Sequence, residues 1–265
     1  LQNLLSSSSL SQDILLLPLY SSLPKNEQDK AILKSSKRKI ILSTNIAQTS
    51  LTIEGVKVVI DSGLEKQSRY NYANAMDHLE LAFISKDAAV QRAGRAGRLS
   101  SGKCYRLWHE SKVLQQSTKP EILRADLSSL VLDLSLWGVD EFDELKFLDI
   151  PNTNIIQNTK EVLKELAMLD DSFKITQFGR DALSLGLHPR FSYMILKAND
   201  LGFAYEACLL ASLLGKKDIF KNSTRDSDLL SRFIHLFEKD FDSVYINRYK
   251  AKEVITGADF FYQLV

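Results

Sequence analysis

The chain has 265 residues, 45% of them hydrophobic, enough for a sizeable core and more naturally two or three compact units than one. Lys and Arg number 34 against 33 Asp and Glu, so a net charge of +1 neither announces nor excludes a nucleic-acid partner, and only local clustering can argue for one. Cys104 and Cys208 lie far apart and fit no metal spacing, no apolar run reaches the ~18 residues of a membrane span, and Leu1-Gln2-Asn3 lacks the basic start of a signal peptide, so a cytoplasmic protein with buried reduced thiols is expected. The first residue is not Met, which is read as the mark of a fragment.

The first 110 residues alternate strand and helix signals. Asp13 to Leu19 is an apolar run read as a strand, and Pro24 to Leu33 is a helix opened by proline. Lys39 to Leu42 and Val56 to Ile60 are short apolar strands of the kind buried in parallel sheets. Asp61-Ser62-Gly63 breaks the pattern. Lys66 to Ile84 is polar and tyrosine-bearing and reads as an extended hairpin with a turn at Asn71 to Asn74. Ser85 can cap a helix from Lys86 to about Gly97, and Lys103 to Trp108 is a last strand. Strands alternating with helices predict a parallel α/β sheet.

From about Ser111 the texture changes. Pro120 opens an amphipathic helix through Leu123, Leu127, Leu130, Val131 and Leu134, stopped by Gly138. Ile155 to Leu166 marks another helix, Phe173 to Thr176 a brief strand, and Thr176 caps a helix carrying Arg180 and Leu183. Two helices, a small strand and a helix make a winged-helix pattern. Helices then follow at Arg190 to Asn199, Tyr205 to Leu214 and Asp226 to Lys239, with a tail from Asp242 onward.

Two runs carry chemistry. In the helix after Ser85, Gln91, Arg95 and Arg98 fall within a narrow arc, with Arg92 just beside it. The three arginines repel one another unless an anion neutralises them, and each helix-interior glycine costs about 1 kcal/mol relative to alanine. Planar, permanently charged guanidinium groups suit phosphate oxygens. The plain alternative is a solvated basic helix face. The second run, Ser43 to Gly55, follows a strand, at the end where open parallel sheets collect ligands. Its hydroxyls and Asn45 can donate to phosphates or riboses; the plain alternative is an ordinary capped loop.

Together, Thr44-Asn45-Ile46-Ala47 with Thr49-Ser50-Leu51-Thr52-Ile53, and Gln91 through Arg98, resemble motifs V and VI of a DEAH-box superfamily 2 RNA helicase. Val59-Ile60-Asp61-Ser62-Gly63 and Leu19 to Pro24 match as well. Gly102 to Leu107, Pro120 to Arg124, Trp137-Gly138-Val139, Thr176 to Arg180 and Leu187 to Arg190 continue the likeness, which is nearest to the bacterial HrpB type. It spans residues 13 to 215.

The resemblance implies an α/β RecA-like domain over 1–110, a winged-helix domain over 111–186 and an α-helical bundle over 187–265. ATP would sit between two RecA-like domains. The first of these would supply the phosphate loop and the acidic box that holds Mg2+. Neither G-x-x-x-x-G-K-[ST] nor a DEAH-like run occurs in this chain, so that domain is expected as a partner in cis and the chain alone is expected to be inactive.

By motif matching, Gln91 would position the attacking water or contact the γ-phosphate, Arg92 and Arg95 would be arginine fingers, and Arg98 would support them. Ser50, Thr52 and Glu54 would lie near the nucleotide and its ribose, and Ile32 where some relatives stack a ring on adenine. Thr44 and Asn45 would lie near the RNA backbone. Gln48 stands where the motif usually has glutamate. Lys66 and Arg69, with Tyr70 and Tyr72, would belong to a hairpin that meets RNA at a duplex junction. The alternative is a non-catalytic RNA-binding or scaffold module that keeps the fold. His188 reads as structural, and no histidine has ligand spacing to another or to a cysteine.

Overall fold

The sequence pattern changes at about Ser111, but the backbone divides between Ala125 and Asp126. In the structure, a computed structural model that describes residues 2–6, 13–49, 51–71, 76–221 and 228–265, residues 1–125 form one unit and residues 126–265 another.

Unit 1 runs α1 (Gln2–Ser6), β1 (Ile14–Leu19), α2 (Lys25–Ile32), β2 (Arg38–Ser43), α3 (Ile46–Thr49), β3 (Val58–Asp61), β4 (Leu64–Asn71), β5 (Met76–Phe83), α4 (Lys86–Gly94) and β6 (Lys103–Arg106). The expected parallel strands are present, but they pair two by two. β1 pairs with β2 and β3 with β6, both parallel, while β4 and β5 form the antiparallel hairpin.

Ladder geometry says which edges are in use. Thr44 N donates to Leu19 O at 3.1 Å, so Leu19 faces β2 and its neighbour Pro18 faces the outer edge, where a missing N–H costs no ladder bond. On the other side of β2, Lys39, Ile41 and Ser43 face away from β1. Lys103 N and Leu107 N donate to Lys57 O and Asp61 O, so Val58 and Ile60 face away from β6. Parallel strands are ordinarily covered on both faces. Here Val58, Ile60, Tyr105 and Leu107 are 49%, 69%, 53% and 65% exposed.

Residues 111–125 fold back onto unit 1. Lys86 N donates to Gln115 O, Tyr70 N donates to Arg124 O at 3.0 Å, and the Ser85 and Thr118 hydroxyls lie 3.0 Å apart. The helix expected to open at Pro120 is divided. Glu121–Leu123 is a single 3-10 turn, Arg124 leaves helical geometry, and α5 (Ser128–Trp137) starts afresh. Asp126 causes the restart, because its Oδ1 accepts from both the backbone N–H and the hydroxyl of Ser128.

In unit 2, α5 ends on Gly138 at φ +80°, a left-handed stop that glycine adopts without strain. α6 (Thr153–Glu165) is capped by Asn152, and α7 (Gln177–Ser184) by Thr176, whose hydroxyl accepts from Gly179 N. The brief strand expected at Phe173 to Thr176 is reduced to one antiparallel bridge, Leu169 to Ile175. α8 (Pro189–Asp200), α9 (Ala204–Gly215), α10 (Leu229–Phe237) and α11 (Arg248–Tyr262) complete the unit. The expected helix start at Asp226 lies outside the described residues. α9 packs against α8, α10 and α11. Its Cys208 and Leu209 join Ile195, Ile219, Leu236 and Val254 in a buried core. No helix among the described residues is long and apolar enough to cross a membrane.

Candidate functional site

Ser85 and two small buried residues, Ala88 and Ala89, let α4 lie close against unit 1. α4 ends at Gly94, not at Gly97. Arg95 and Ala96 continue as tight turns, with Arg95 N donating to Arg92 O and Ala96 N to Ala93 O. Two glycines in four residues weaken the helix, and Arg95 is drawn to the neighbouring loop.

Each arginine of the run has its own partners. Arg92, with a side chain only 14% exposed, sits between the Asp61 and Glu65 carboxylates at 3.1 Å each. Its Nη1 also donates to Leu64 O and its Nε to Gln48 Oε1 at 2.9 Å. Four of its five N–H groups are thus engaged. Arg95 grips the loop after β2: Nε and Nη2 both donate to Gln48 O, and Nη1 donates to Leu51 O at 2.8 Å. One N–H on each of Nη1 and Nη2 is not used by these bonds. Arg98 is exposed and donates to Thr52 Oγ1 at 2.9 Å. Gln91 is exposed, and its Oε1 accepts from Gln48 Nε2 at 3.3 Å.

The structure therefore brings the two sequence runs together side chain to loop. Thr44 and Asn45 are exposed at the carboxyl end of β2, and Asn45 O accepts from Gln48 N. Glu54 is exposed beside Gly55, which turns at φ +77°. Ser50 and Tyr72 lie outside the described residues. Ile32 does not join the cluster. It ends α2, flanked by the Ala31 and Leu33 carbonyls that Lys39 Nζ caps at 2.7 and 2.6 Å. Lys39 is at the start of β2 and Thr44 follows its end, about 16 Å of extended chain away.

Asp61, Glu65 and Gln48 hold Arg92; Asp61 and Gln48 stand out in the sequence without that role, and for Glu65 the only signal was its charge complementarity to an arginine. The Asp61-Ser62-Gly63 break is what makes this possible. Gly63 turns at φ +74° and donates to Asp61 Oδ1 at 3.0 Å, with the Trp108 ring packed so closely that a Cβ would lie 2.6 Å from it. Cys104 sits nearby, its thiol pushed up by burial first and then by the Asp61 charge.

The hairpin splits its basic residues. Lys66 is opposite Leu81 and Arg69 opposite His78. Their odd spacing sends them to opposite faces. Arg69 lies on a polar face and pairs with Glu80 at 2.5 Å. Lys66 shares its face with Leu79, Leu81 and Phe83, which are 66%, 66% and 44% exposed. Beside the hairpin, a cleft of about 170 Å³ is lined by Arg69, Tyr70, Thr118, Lys119 and Arg124 among others.

Elsewhere the polar clusters are structural. His188 Nε2 meets Asp126 Oδ2 at 2.9 Å while its Nδ1 accepts from Arg190 N at the start of α8. Burial pushes Cys208 up to about 11. Among the described residues no group of three or more His, Cys, Asp or Glu is arranged to hold a metal ion.

Comparison with known proteins bears on the domain and its fold. Residues 2–100 match the model of the helicase conserved C-terminal domain. The chain is 36% identical over 236 residues, 85% of its length, to the ATP-dependent RNA helicase HrpA of Escherichia coli (strain K12). It is also 36% identical over 212 residues to the HrpA homolog of Haemophilus influenzae. Two crystal structures of Escherichia coli HrpB, a DEAH/RHA helicase, superpose over 99% of the chain with TM-scores of 0.84 and 0.80 at 30% identity. The chain spans 18% and 16% of the two HrpA proteins and 32% and 31% of the two HrpB chains. The chain thus carries an α/β helicase C-terminal domain of the DEAH/RHA type, followed by a helical region.

Proposed function

We propose that the chain is the C-terminal motor half of an ATP-dependent RNA helicase, in which Gln91, Arg95 and Arg98 meet an ATP molecule held mainly by another RecA-like domain of the same polypeptide. The observation that carries this is the grip of Arg95 and Arg98 on the Gln48 to Thr52 loop. The Arg95 guanidinium is fixed on the Gln48 and Leu51 carbonyls, while one N–H on each Nη remains for an anion. Such preorganised, permanently charged donors suit the charge that develops on a transferring phosphoryl group.

We propose a different division of the fingers from the pair Arg92 and Arg95 that the resemblance implies. Buried between two carboxylates, Arg92 serves better as the brace that fixes α4, and Arg98, exposed at the end of the run, takes the second finger position. Thr52 and Glu54 border this side of the nucleotide. Mg2+ would travel with ATP and draw its ligands from the rest of the polypeptide. Thr44 and Asn45 would touch the RNA backbone, and Lys66 or Arg69, on opposite hairpin faces, would each meet a different strand or partner. The α5, α6 and α7 helices with the Leu169 to Ile175 bridge support the winged-helix reading, with α8 to α11 as the helical bundle that follows.

The exposed faces of β3, β5 and β6 fit a domain that is covered by the remaining polypeptide. The test is ATP hydrolysis by the complete protein. Arg95→Ala and Arg98→Ala are each expected to lower RNA-stimulated turnover by roughly 10³-fold, the scale of a lost arginine finger. Losses below about tenfold in both would reject the assignment. The chain alone is expected to hydrolyse ATP negligibly.

A further inference from the structure

Gln48, the side chain that departs from the family wording, sits at the centre of the cluster. Arginine has no acceptor, so the bond from Arg92 Nε fixes which end of the Gln48 amide is oxygen. The other end, Nε2, donates to Gln91 Oε1. The direction of the whole relay follows: Arg92 donates to Gln48, Gln48 donates to Gln91, and the Gln91 carbonyl oxygen is turned toward Gln48. The end of the Gln91 amide turned away from Gln48 is its NH2 group.

We propose that Gln48 is a positioning residue that turns the NH2 end of Gln91, and not its carbonyl, toward the nucleotide's terminal phosphate. The proposal rests on the reading of this cluster as one side of an ATP site. A carboxylate at position 48 could only accept. It would take one hydrogen bond from Arg92 and one from the Gln91 NH2, leaving the Gln91 oxygen outward as an acceptor for water. This chain therefore presents a donor to phosphate oxygens where a glutamate-bearing relative would present a water acceptor. The Gln48 backbone carbonyl separately anchors Arg95, so side-chain substitutions leave that anchor in place.

Two measurements test it. In the chain 1–265, nuclear magnetic resonance of the Gln91 side-chain NH2 and the Arg92 Nε–H reads the relay directly. Gln48→Glu is expected to slow exchange of the Gln91 NH2 about tenfold, and Gln48→Ala to speed exchange of the Arg92 Nε–H by a similar factor. An unchanged Gln91 signal in Gln48→Glu overturns the relay.

In the complete protein, Gln48→Glu is expected to raise KM for ATP about tenfold, the size of one hydrogen bond to a charged group, with a smaller change in kcat. A purely structural role would instead lower the folded fraction without splitting KM from kcat. If Gln48→Glu leaves KM unchanged while Arg95→Ala abolishes turnover, the positioning role fails and the ATP site stands. If Arg95→Ala is as active as the wild type, both fail together.

Discussion

Unit 2 buries Leu209 completely at the middle of α9, while unit 1 leaves Ile60 of β3 69% exposed. Both residues are large aliphatics in regular structure, and the difference lies in how each architecture closes. A helix bundle satisfies its backbone within each helix and covers α9 with α8, α10 and α11 from the same stretch of chain. A parallel pair such as β3 and β6 is ordinarily covered on both faces, and the described residues leave Val58 and Ile60 exposed. Unit 2 closes a core of its own, while the arginine cluster lies on the unit whose strands keep an open face.

The comparison breaks most readily at those two residues. Leu209→Ala in the chain 1–265 is expected to destabilise unit 2 by about 2–5 kcal/mol, the cost of a buried cavity. Ile60→Ala should stay within about 0.5 kcal/mol, as exposed sites do. Denaturant unfolding followed by hydrogen exchange, which separates the two units, measures both. An equal cost at the two positions would mean that unit 1 already closes a core around β3. In the complete protein Ile60→Ala should become the costlier of the two measurements on that residue, because its face is then covered.

A finer test lies where α9 and α11 approach. Ser212 donates to Val254 O at 2.7 Å from a fully buried position, and a Cβ on Gly257 would stand 2.5 Å from its oxygen. Gly257 therefore serves proximity, not turn geometry. Gly257→Ala is expected to cost about 1–3 kcal/mol of unit 2 stability through overpacking, more than offsetting alanine's helix propensity. Thermal unfolding reads this, and a raised melting temperature would show that the two helices can separate at little cost.

Much of the fold was legible because its signals are local. Pro at the start of α8, Gly138 after α5 and Thr176 before α7 act on their own backbone neighbourhoods, so the starts of α7 and α8 and the end of α5 fall within a residue or two of expectation. The misplacements have non-local causes. The helix expected from Pro120 is interrupted because Asp126 recaptures the Ser128 N–H, and because Arg124 reaches back to Ser68 O at 2.8 Å. α3 escaped notice because four residues carry too little periodicity.

At the candidate site the residue types were legible from spacing, but the division of labour among the arginines was not. Arg92, Arg95 and Arg98 look alike in sequence. Only the positions of Asp61 and Glu65, reached through the Gly63 turn, show which one is buried. Lys66 and Arg69 were grouped by charge, although strand alternation alone separates them.

The smallest expected effect concerns acid. Asp126 opens unit 2 and accepts from His188 Nε2 through one oxygen and from Ser128 through the other. Burial alone would raise its carboxyl, but the hydrogen bonds from His188 and Ser128 outweigh burial and hold it well below the ordinary carboxylate range. A carboxylate depressed on folding stabilises the native state above its unfolded value, near 3.9, and loses that contribution as pH falls below it. Unit 2 should therefore melt at a steady temperature from pH 7 down to about 4.5 and then weaken.

Asp126→Asn is expected to lower stability at pH 7 by about 1–2 kcal/mol, the cost of hydrogen bonds to a charged group. Its amide sets an N–H against His188 Nε2–H, and His188 is held in that tautomer because Nδ1 accepts from Arg190 N. The variant should also lose part of the decline below pH 4.5, so that the two stability curves converge in acid. Parallel curves would assign the acid sensitivity to other carboxylates and leave Asp126 as a simple helix cap.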